Sequence, residues 1–242
     1  MAENEFPLAL VTGAAHRLGR TFALSLARQG YAILLHNHRS AEKAGATADE
    51  IRSLGAPVYL AQADLTDTAG LQSLFATLDS LPHQLKVLVN SAGLMQRNDV
   101  RSLSAADWDA TFDLNLRAPF LLAQQAAERM PDGGLIVNVT DVGAAKAWSG
   151  FPAYTVSKAA LESLTRVLAR SLAPAIRVNA IAPGLVLPSA DVSPEEWEKL
   201  VNRLPLKRPA SLEDVASALE FLLKNESVTG QTIVVDGGYS LI

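Results

Sequence analysis

The 242-residue sequence predicts an α/β fold, a doubly wound parallel sheet of seven strands flanked by helices on both faces. Three observations predict it. Short runs rich in Val, Ile and Leu recur along the chain, each bounded by Gly, Asn or Pro. Amphipathic stretches of helical period lie between them. Most of the runs are apolar at both alternating positions, as strands covered on each face are and half-exposed strands are not.

The strands are assigned to PLALVTG (7–13), YAILLHN (31–37), PVYLAQAD (57–64), LKVLVNSAG (85–93), GLIVNVTD (134–141), IRVNAIAPG (176–184) and TIVVDGG (232–238). Helices are assigned to 17–29, 41–54, 68–80, 104–129, 154–172 and 211–224. Ser104 and Ser211 stand before helices whose first turns carry acidic residues, a start signal that complements the helix dipole. The order is βαβαβ twice over, so a ligand crevice is expected at the carboxyl ends of the strands, near the switch point. No tandem repeat, low-complexity stretch or linker divides the chain, and 1–242 reads as a single dinucleotide-binding domain. One segment escapes the pattern: LVLPSADVSPEEWEKLVNRLPLKRPA (185–210), with prolines at 188, 194, 205 and 209. It is read as a candidate lid over a substrate, the alternative being an ordinary surface excursion.

Composition narrows the function. With 49% hydrophobic and 19% charged residues, the chain can bury one sizeable core. A net charge of -4 with mixed signs offers no basic stripe to nucleic acid, which leaves a small molecule as the expected partner. The absence of cysteine removes disulfides and thiolate metal sites and fits a reducing compartment. MAENEFPLALVTG has neither a basic start nor a long apolar run, so no signal peptide or membrane span is predicted and a cytoplasmic location is expected.

TGAAHRLG (12–19) joins the first strand to the first helix. Gly13 and Gly19 let backbone approach a pyrophosphate, and the N–H groups of His16, Arg17 and Leu18 at the helix start suit its charge. The position between them where a third glycine is common holds Arg17, whose cation would sit beside phosphate or substrate. The second strand ends in His36, Asn37, His38, Arg39 and Ser40, with no carboxylate for a ribose 2′-hydroxyl. Arg39, Ser40 and His38 instead suit a 2′-phosphate, which favours NADPH/NADP over NADH. His36 and His38, two apart on a strand, invite a metal reading, but no third ligand is evident and no metal is expected. Asp64, followed by Leu65, suits the adenine amino group, and Asn90 and Ala92 are expected to border the adenosine.

The chemistry is expected in TDVGAAKAWSGFPAYTVSK (140–158), where Tyr154 and Lys158 lie four apart and Asp141 lies thirteen before the tyrosine. Tyr154 and Lys158 share one helix face directly after the fifth strand, at the carboxyl edge of the sheet. A lysine ammonium beside a phenol favours the phenolate and is expected to lower the tyrosine's proton affinity.

TGAAHRLG, VNSAG, Asn115 in DLNLRAP, YTVSK, VNAIAPG and TGQTIVVDGGYS together resemble, in order and spacing and over essentially the whole chain, the short-chain dehydrogenase/reductase superfamily with its Rossmann-type fold. TGAAHRLGR, HRS after the second strand, the aspartate thirteen before Tyr154, APGL and DGGYSL look most similar to the pteridine reductases. The resemblance implies Tyr154 as proton donor and Lys158 as ribose ligand. It implies Asn115 as holder of a proton-relay water at a helix irregularity, Asp141 as the fourth member of the site, and Ile181 to Gly184, with Pro183, facing the nicotinamide carboxamide. It also implies a homotetramer packed through helices 104–129 and 154–172.

Most of that superfamily carries serine where this chain has Asp141. A hydroxyl donates to a substrate carbonyl, whereas an ionised carboxylate only accepts, and so attracts a ring rich in N–H and NH2 groups such as a pterin. The competing reading has Asp141 merely capping the loop GAAKAW or pairing with Lys146. The chain departs from pteridine reductases after the fourth strand, where Gly93 and Met95 replace a serine and a ring-stacking aromatic. Met95, Trp148 and Phe151 are the candidates for the substrate wall, with Arg17. Two rivals remain: the same machinery acting on a 3-oxoacyl or sugar carbonyl, and a catalytically silent NADP-binding sensor.

Overall fold

In the computed structural model, which describes residues 6–189 and 192–242, strands β1 (Leu8–Val11), β2 (Ala32–Asn37), β3 (Val58–Gln62), β4 (Leu85–Asn90), β5 (Gly134–Val139), β6 (Ile176–Pro183) and β7 (Thr232–Val235) form one sheet. The opening residues MAENE, on which the targeting expectation rests, and Ala190 and Asp191 of the predicted lid lie outside the described residues. All pairings are parallel and the order is β3-β2-β1-β4-β5-β6-β7, so the chain reverses its winding between β1 and β4.

The two-residue period of a strand divides the core. Ala9 and Val11 of β1 enter one apolar cluster with Phe22 and Leu26 of α1 (Arg17–Arg28), Ile51 of α2 (Ala41–Ser53), and Leu219 of a helix over Leu212–Lys224. Leu8 and Leu10 enter the opposite cluster, with Leu74 of α3 (Thr68–Asp79) and with residues of the two helices that follow β4 and β5. Coverage fails only at the rims of the sheet, where Leu60 of β3 and Val234 of β7 are about half exposed.

The predicted helix over 104–129 is a composite. It runs as α4 (Ala105–Phe112), a π-helical turn (Asp113–Arg117) and α5 (Ala118–Glu128). The Ser104 hydroxyl accepts from Asp107 N, as the start signal predicts. After β5 comes the short α6 (Gly143–Lys146), and then α7 (Pro152–Leu172) starts two residues before the predicted boundary, with proline in its first turn. The 185–210 segment contains a helix, α8 (Pro194–Arg203), closed at its start by a capping box between Ser193 and Glu196. Ser193-Pro194-x-Glu196 is a start signal that the prolines around it obscured. The last α-helix among the described residues is α9 (Leu212–Lys224), capped in the same way by Ser211 and Asp214. No helix among the described residues is long and apolar enough to cross a membrane.

One expected site residue belongs to the frame instead. Asn90 is buried, and its Nδ2 donates to Asn138 Oδ1 on β5 (2.8 Å), whose Nδ2 donates to Thr165 Oγ1 on α7 (2.9 Å). Its side chain therefore ties β4 to β5 and α7 and does not border the cleft described below. Replacing Asn138 with leucine leaves Asn90 Nδ2 without its acceptor in the core. Urea unfolding of Asn138→Leu is expected to show a loss of about 1–3 kcal/mol.

Candidate active site

A cleft of about 1120 Å³ opens along the carboxyl ends of the strands, across the reversal between β1 and β4. That is at the top of the range of pockets for one drug-sized ligand and leaves room for a dinucleotide with a second small molecule. Its lining includes Gly13, His16, Arg17, Leu18, Gly19, His38, Arg39, Ser40, Asp64, Leu65 and Ala92, the residues that the sequence reading gives to the cofactor. Gly13 has φ +63°, and a Cβ on it would lie 2.9 Å from Ala92 Cα. A methyl on Gly19 would overlap the Gly13 carbonyl oxygen. Both glycines are therefore required by close backbone approach. Arg17 occupies the left-handed region (φ 51°) that a third glycine would accept without strain. Its guanidinium leaves the cleft floor to donate to the carbonyls of Leu187 (3.1 Å) and Pro188 (3.2 Å) in the 185–210 segment.

His36 holds this loop in place. Buried between strands, its Nδ1 accepts from Gly13 N (3.2 Å) and its Nε2 contacts the Ala63 carbonyl (3.0 Å), an arrangement that requires the neutral Nε2–H tautomer. Both ring nitrogens are thus engaged, and the metal reading of His36 has no lone pair left to use. Burial, assisted by neighbouring His38, pushes its pKa down to about 4. Asp64 Oδ1 accepts from Thr66 N and Oγ1, bonds that lower its pKa, and its other oxygen faces His38 Nε2 at 3.6 Å. At the end of β2, Asn37 lines the cleft, and its buried Oδ1 has no hydrogen-bond partner among the described residues.

At the other end, β5 delivers Asp141 and the first turns of α7 deliver Tyr154 and Lys158. Tyr154 Oη donates to Asp141 Oδ2 (2.8 Å), and Asp141 Oδ1 accepts from Gly143 N (2.7 Å). The carboxylate thus closes the loop after β5, as the competing reading has it, and its other oxygen meets the phenol. It does not pair with Lys146, whose Nζ donates to the Tyr239 carbonyl (2.9 Å) and to the carbonyl oxygen of Ile242. Lys158 Nζ donates to the Val139 carbonyl (2.7 Å) and lies 5.7 Å from the Tyr154 ring centroid.

The expected acidification of Tyr154 is overturned. Burial, then the charge of Asp141 and the hydrogen bond to it, raise Tyr154 well above the ordinary phenol value. Lys158, whose ammonium donates to the Val139 carbonyl, does not offset them in this arrangement, and burial pulls its own pKa down to about 8. Burial likewise pushes Asp141 up, against the Gly143 N–H, the Tyr154 hydroxyl and Lys158.

Asn115 lies inside the π-helical turn and is fully buried. Its Oδ1 accepts from Leu94 N (2.8 Å), and its Nδ2 donates to the Leu94 carbonyl (2.9 Å) and to Ser157 Oγ (3.0 Å). It thereby fastens the loop after β4 to α7 one turn from Tyr154. Met95, Trp148, Phe151, Pro183 and Gly184 all line the cleft, and neither aromatic is core packing. Leu187, Trp197 and Leu200 bring the 185–210 segment against the same space. Among the lining residues that the sequence reading did not single out, two aromatic or cationic side chains stand beside Trp148 and Phe151. Tyr239, in the DGGYS that follows β7, packs beside Trp148 (centroids 6.1 Å apart), and Arg97 stacks on Phe151 (5.0 Å).

Residues 13–240 match the family model described as enoyl-(acyl carrier protein) reductase. The 3-oxoacyl-[acyl-carrier-protein] reductase FabG of Staphylococcus aureus is 35% identical over 237 residues, 95% of this chain and 96% of that protein. The chain belongs to the short-chain dehydrogenase/reductase superfamily. Among solved structures of the superfamily, FolM alternative dihydrofolate reductase 1 from Brucella suis, in complex with NADP, superposes with a TM-score of 0.93 at 37% identity, covering 100% of this chain and 97% of that one. A blue fluorescent protein from a metagenomic library, in complex with NADPH, superposes with a TM-score of 0.90 at 31% identity, each chain covered to 99%. As a short-chain dehydrogenase/reductase, the protein is a nicotinamide-dependent oxidoreductase.

The state of His36 has a consequence for stability. Between pH 6.5 and about 4 the unfolded chain binds a proton that the folded histidine does not, so stability is full above 6.5 and is lost as pH falls toward 4. Denaturant unfolding followed across that window is expected to show this loss in the wild type, and His36→Leu is expected to be less stable at pH 7 but flatter with pH.

Proposed function

We propose that this protein is an NADPH-dependent reductase that adds hydride and a proton across a C=N bond of a pterin-like ring, taking a dihydropterin to a tetrahydropterin. The observation that carries the reading is the Asp141–Tyr154 pair, where an acceptor-only carboxylate stands in place of the hydroxyl common in the superfamily. Each carboxylate oxygen has one protein donor, so lone pairs remain for the ring N–H and amino groups of a substrate. An ionised Asp141 would repel the alkoxide that grows during ketone reduction, and would not repel a ring nitrogen that gains a proton.

The cofactor fits the residues present. Gly13 and Gly19 clear the approach to the pyrophosphate, and Asn37 lines the cleft where the adenosine would lie. Arg39, Ser40 and His38 line the cleft where a 2′-phosphate would lie, and β2 ends without a carboxylate. When bound, the reduced nicotinamide supplies the hydride. Pro183 and Gly184 would border its carboxamide, and Lys158 would take the ribose hydroxyls. Tyr154, held protonated by burial and by Asp141, gives its proton to the ring nitrogen, and Lys158 and the Asn115 region return one to it. Trp148 and Phe151, with Met95, wall the ring, and 185–210 acts as the lid. The NADP-bound dihydrofolate reductase relative supports this reading.

A second reading, carbonyl reduction of a 3-oxoacyl group, is favoured by likeness to FabG. A silent sensor is disfavoured because Tyr154 and Lys158 are both retained. Self-association into a tetramer is supported by Phe120 of α5 and by Val156 and Val167 of α7, each more than 40% exposed.

NADPH oxidation with 7,8-dihydrobiopterin, dihydrofolate and a β-ketoester separates these readings. Wild type is expected to turn over the dihydropterins best, and Asp141→Ser to lose at least about tenfold on them while keeping or gaining rate on the ketoester. Undiminished dihydropterin turnover in Asp141→Ser contradicts the role given to the carboxylate. The kcat/KM for the dihydropterin is expected to fall as pH rises through about 8, where buried Lys158 gives up its charge.

A further inference from the structure

Three arginines line the cleft, and two of them are accounted for. Arg39 stands at the adenosine end, and Arg17 is committed to the carbonyls of Leu187 and Pro188. Arg97 is the third. It follows Met95 in the loop after β4, on the side of the cleft that holds Tyr154 rather than the nucleotide. Its guanidinium carbon lies 5.0 Å from the centroid of Phe151, three residues before Tyr154, and the loop is pinned there by Asn98 N donating to the Gly150 carbonyl (3.0 Å). Gly150 leaves the space beside the guanidinium clear of any side chain, the nearest approach of a built Cβ being 3.7 Å from Arg97 Nη1. Among the described residues Arg97 forms neither an ion pair nor a side-chain hydrogen bond. The charged groups beside Tyr154 are engaged: Lys158 with Val139, Lys146 with Tyr239, and Asp141 with Gly143 and Tyr154.

An arginine stacked on an aromatic face has its plane fixed and its N–H edge presented outward, the geometry that meets a carboxylate with two parallel bonds. A guanidinium only donates, so Arg97 calls for an acceptor beyond the ring donors that Asp141 takes, and a carboxylate meets it with two parallel bonds. We infer that Arg97 is a specificity-determining residue that receives the anionic end of the substrate's side chain, so that the preferred substrate is a dihydropterin bearing a carboxylate tail rather than a neutral polyol-like one. The inference rests on the pterin-reductase reading and adds to it the class of side chain. Phe151 serves as the platform, holding Arg97 one helical turn from the proton donor, so that a tail bound to Arg97 extends away from a ring seated at Tyr154.

The test is steady-state NADPH oxidation with 7,8-dihydrofolate, whose tail carries carboxylates, and 7,8-dihydrobiopterin, whose tail is neutral, for wild type, Arg97→Gln and Arg97→Lys. In Arg97→Gln the ratio of kcat/KM for dihydrofolate over dihydrobiopterin is expected to fall about three- to tenfold, through KM and not kcat, as fits a partly exposed charge-assisted contact. Arg97→Lys is expected to restore part of the ratio, and added salt to erode it in wild type but not in Arg97→Gln. An unchanged ratio in Arg97→Gln, or a change confined to kcat, overturns the inference while leaving the pterin reading intact. A wild type inactive on both dihydropterins overturns that reading and this inference with it. A KM rise in Arg97→Gln seen for acetoacetyl-CoA and not for dihydrofolate also overturns it, assigning Arg97 to a phosphorylated acyl carrier.

Discussion

The hydrogen bond from Tyr154 to Asp141 is the constraint around which the rest of this structure is arranged. A buried phenol and a buried carboxylate each cost free energy unless they find partners, and here each is the other's partner. Keeping them together requires β5 to end where α7 begins to pack on it, and requires the loop between them to fold back. Asp141 enforces that fold by accepting from Gly143, and Pro152 starts the helix soon enough to bring Tyr154 to the cleft. Behind them the Asn90–Asn138–Thr165 chain and the Asn115–Ser157 bond lock the sheet to α7 through polar contacts that admit one register.

The nucleotide end is held by a comparable economy of groups. His36 supplies both an acceptor to Gly13 and a donor to Ala63, so one neutral ring fixes the spacing of β1, β2 and β3 at the cleft floor. Arg17 sits in a backbone conformation that favours glycine, and what it gains for that strain is two bonds to the segment over the cleft. The loop after β1 is thus tied to the 185–210 segment at Leu187 and Pro188. In its described residues that segment presents Leu187, Trp197 and Leu200 to the shared space.

The sheet was legible because its strands are buried on both faces, which writes a continuous apolar run into the sequence. The cleft was legible because the position of glycines and of strand ends follows from topology. What the sequence did not carry is the set of side chains whose role depends on partners far along the chain. Asn90 looks like a strand-end polar residue, and only the presence of Asn138 across the sheet turns it inward. His36 carries no local mark of the carbonyl and amide that it bridges. The direction of the Tyr154 shift could not be read from Tyr-x-x-x-Lys alone, because it depends on how far Lys158 reaches and on the competing bond to Val139. The π-helical turn at Asp113–Arg117 leaves apolar periodicity almost intact, so 104–129 reads as one helix. Tyr239 and Arg97 lie on loops, where periodicity says nothing about direction.

The central claim is that Asp141 binds substrate as a hydrogen-bond acceptor while it holds Tyr154 ready to donate. A crystal structure of the protein with NADP and a bound dihydropterin measures this most directly. The account predicts a ring amino or N–H nitrogen about 2.7–3.2 Å from an Asp141 carboxylate oxygen, with Tyr154 Oη within reach of the ring nitrogen that is protonated. A ring seated against the nicotinamide with its donors satisfied elsewhere and Asp141 bonded only to Gly143 and Tyr154 would contradict it.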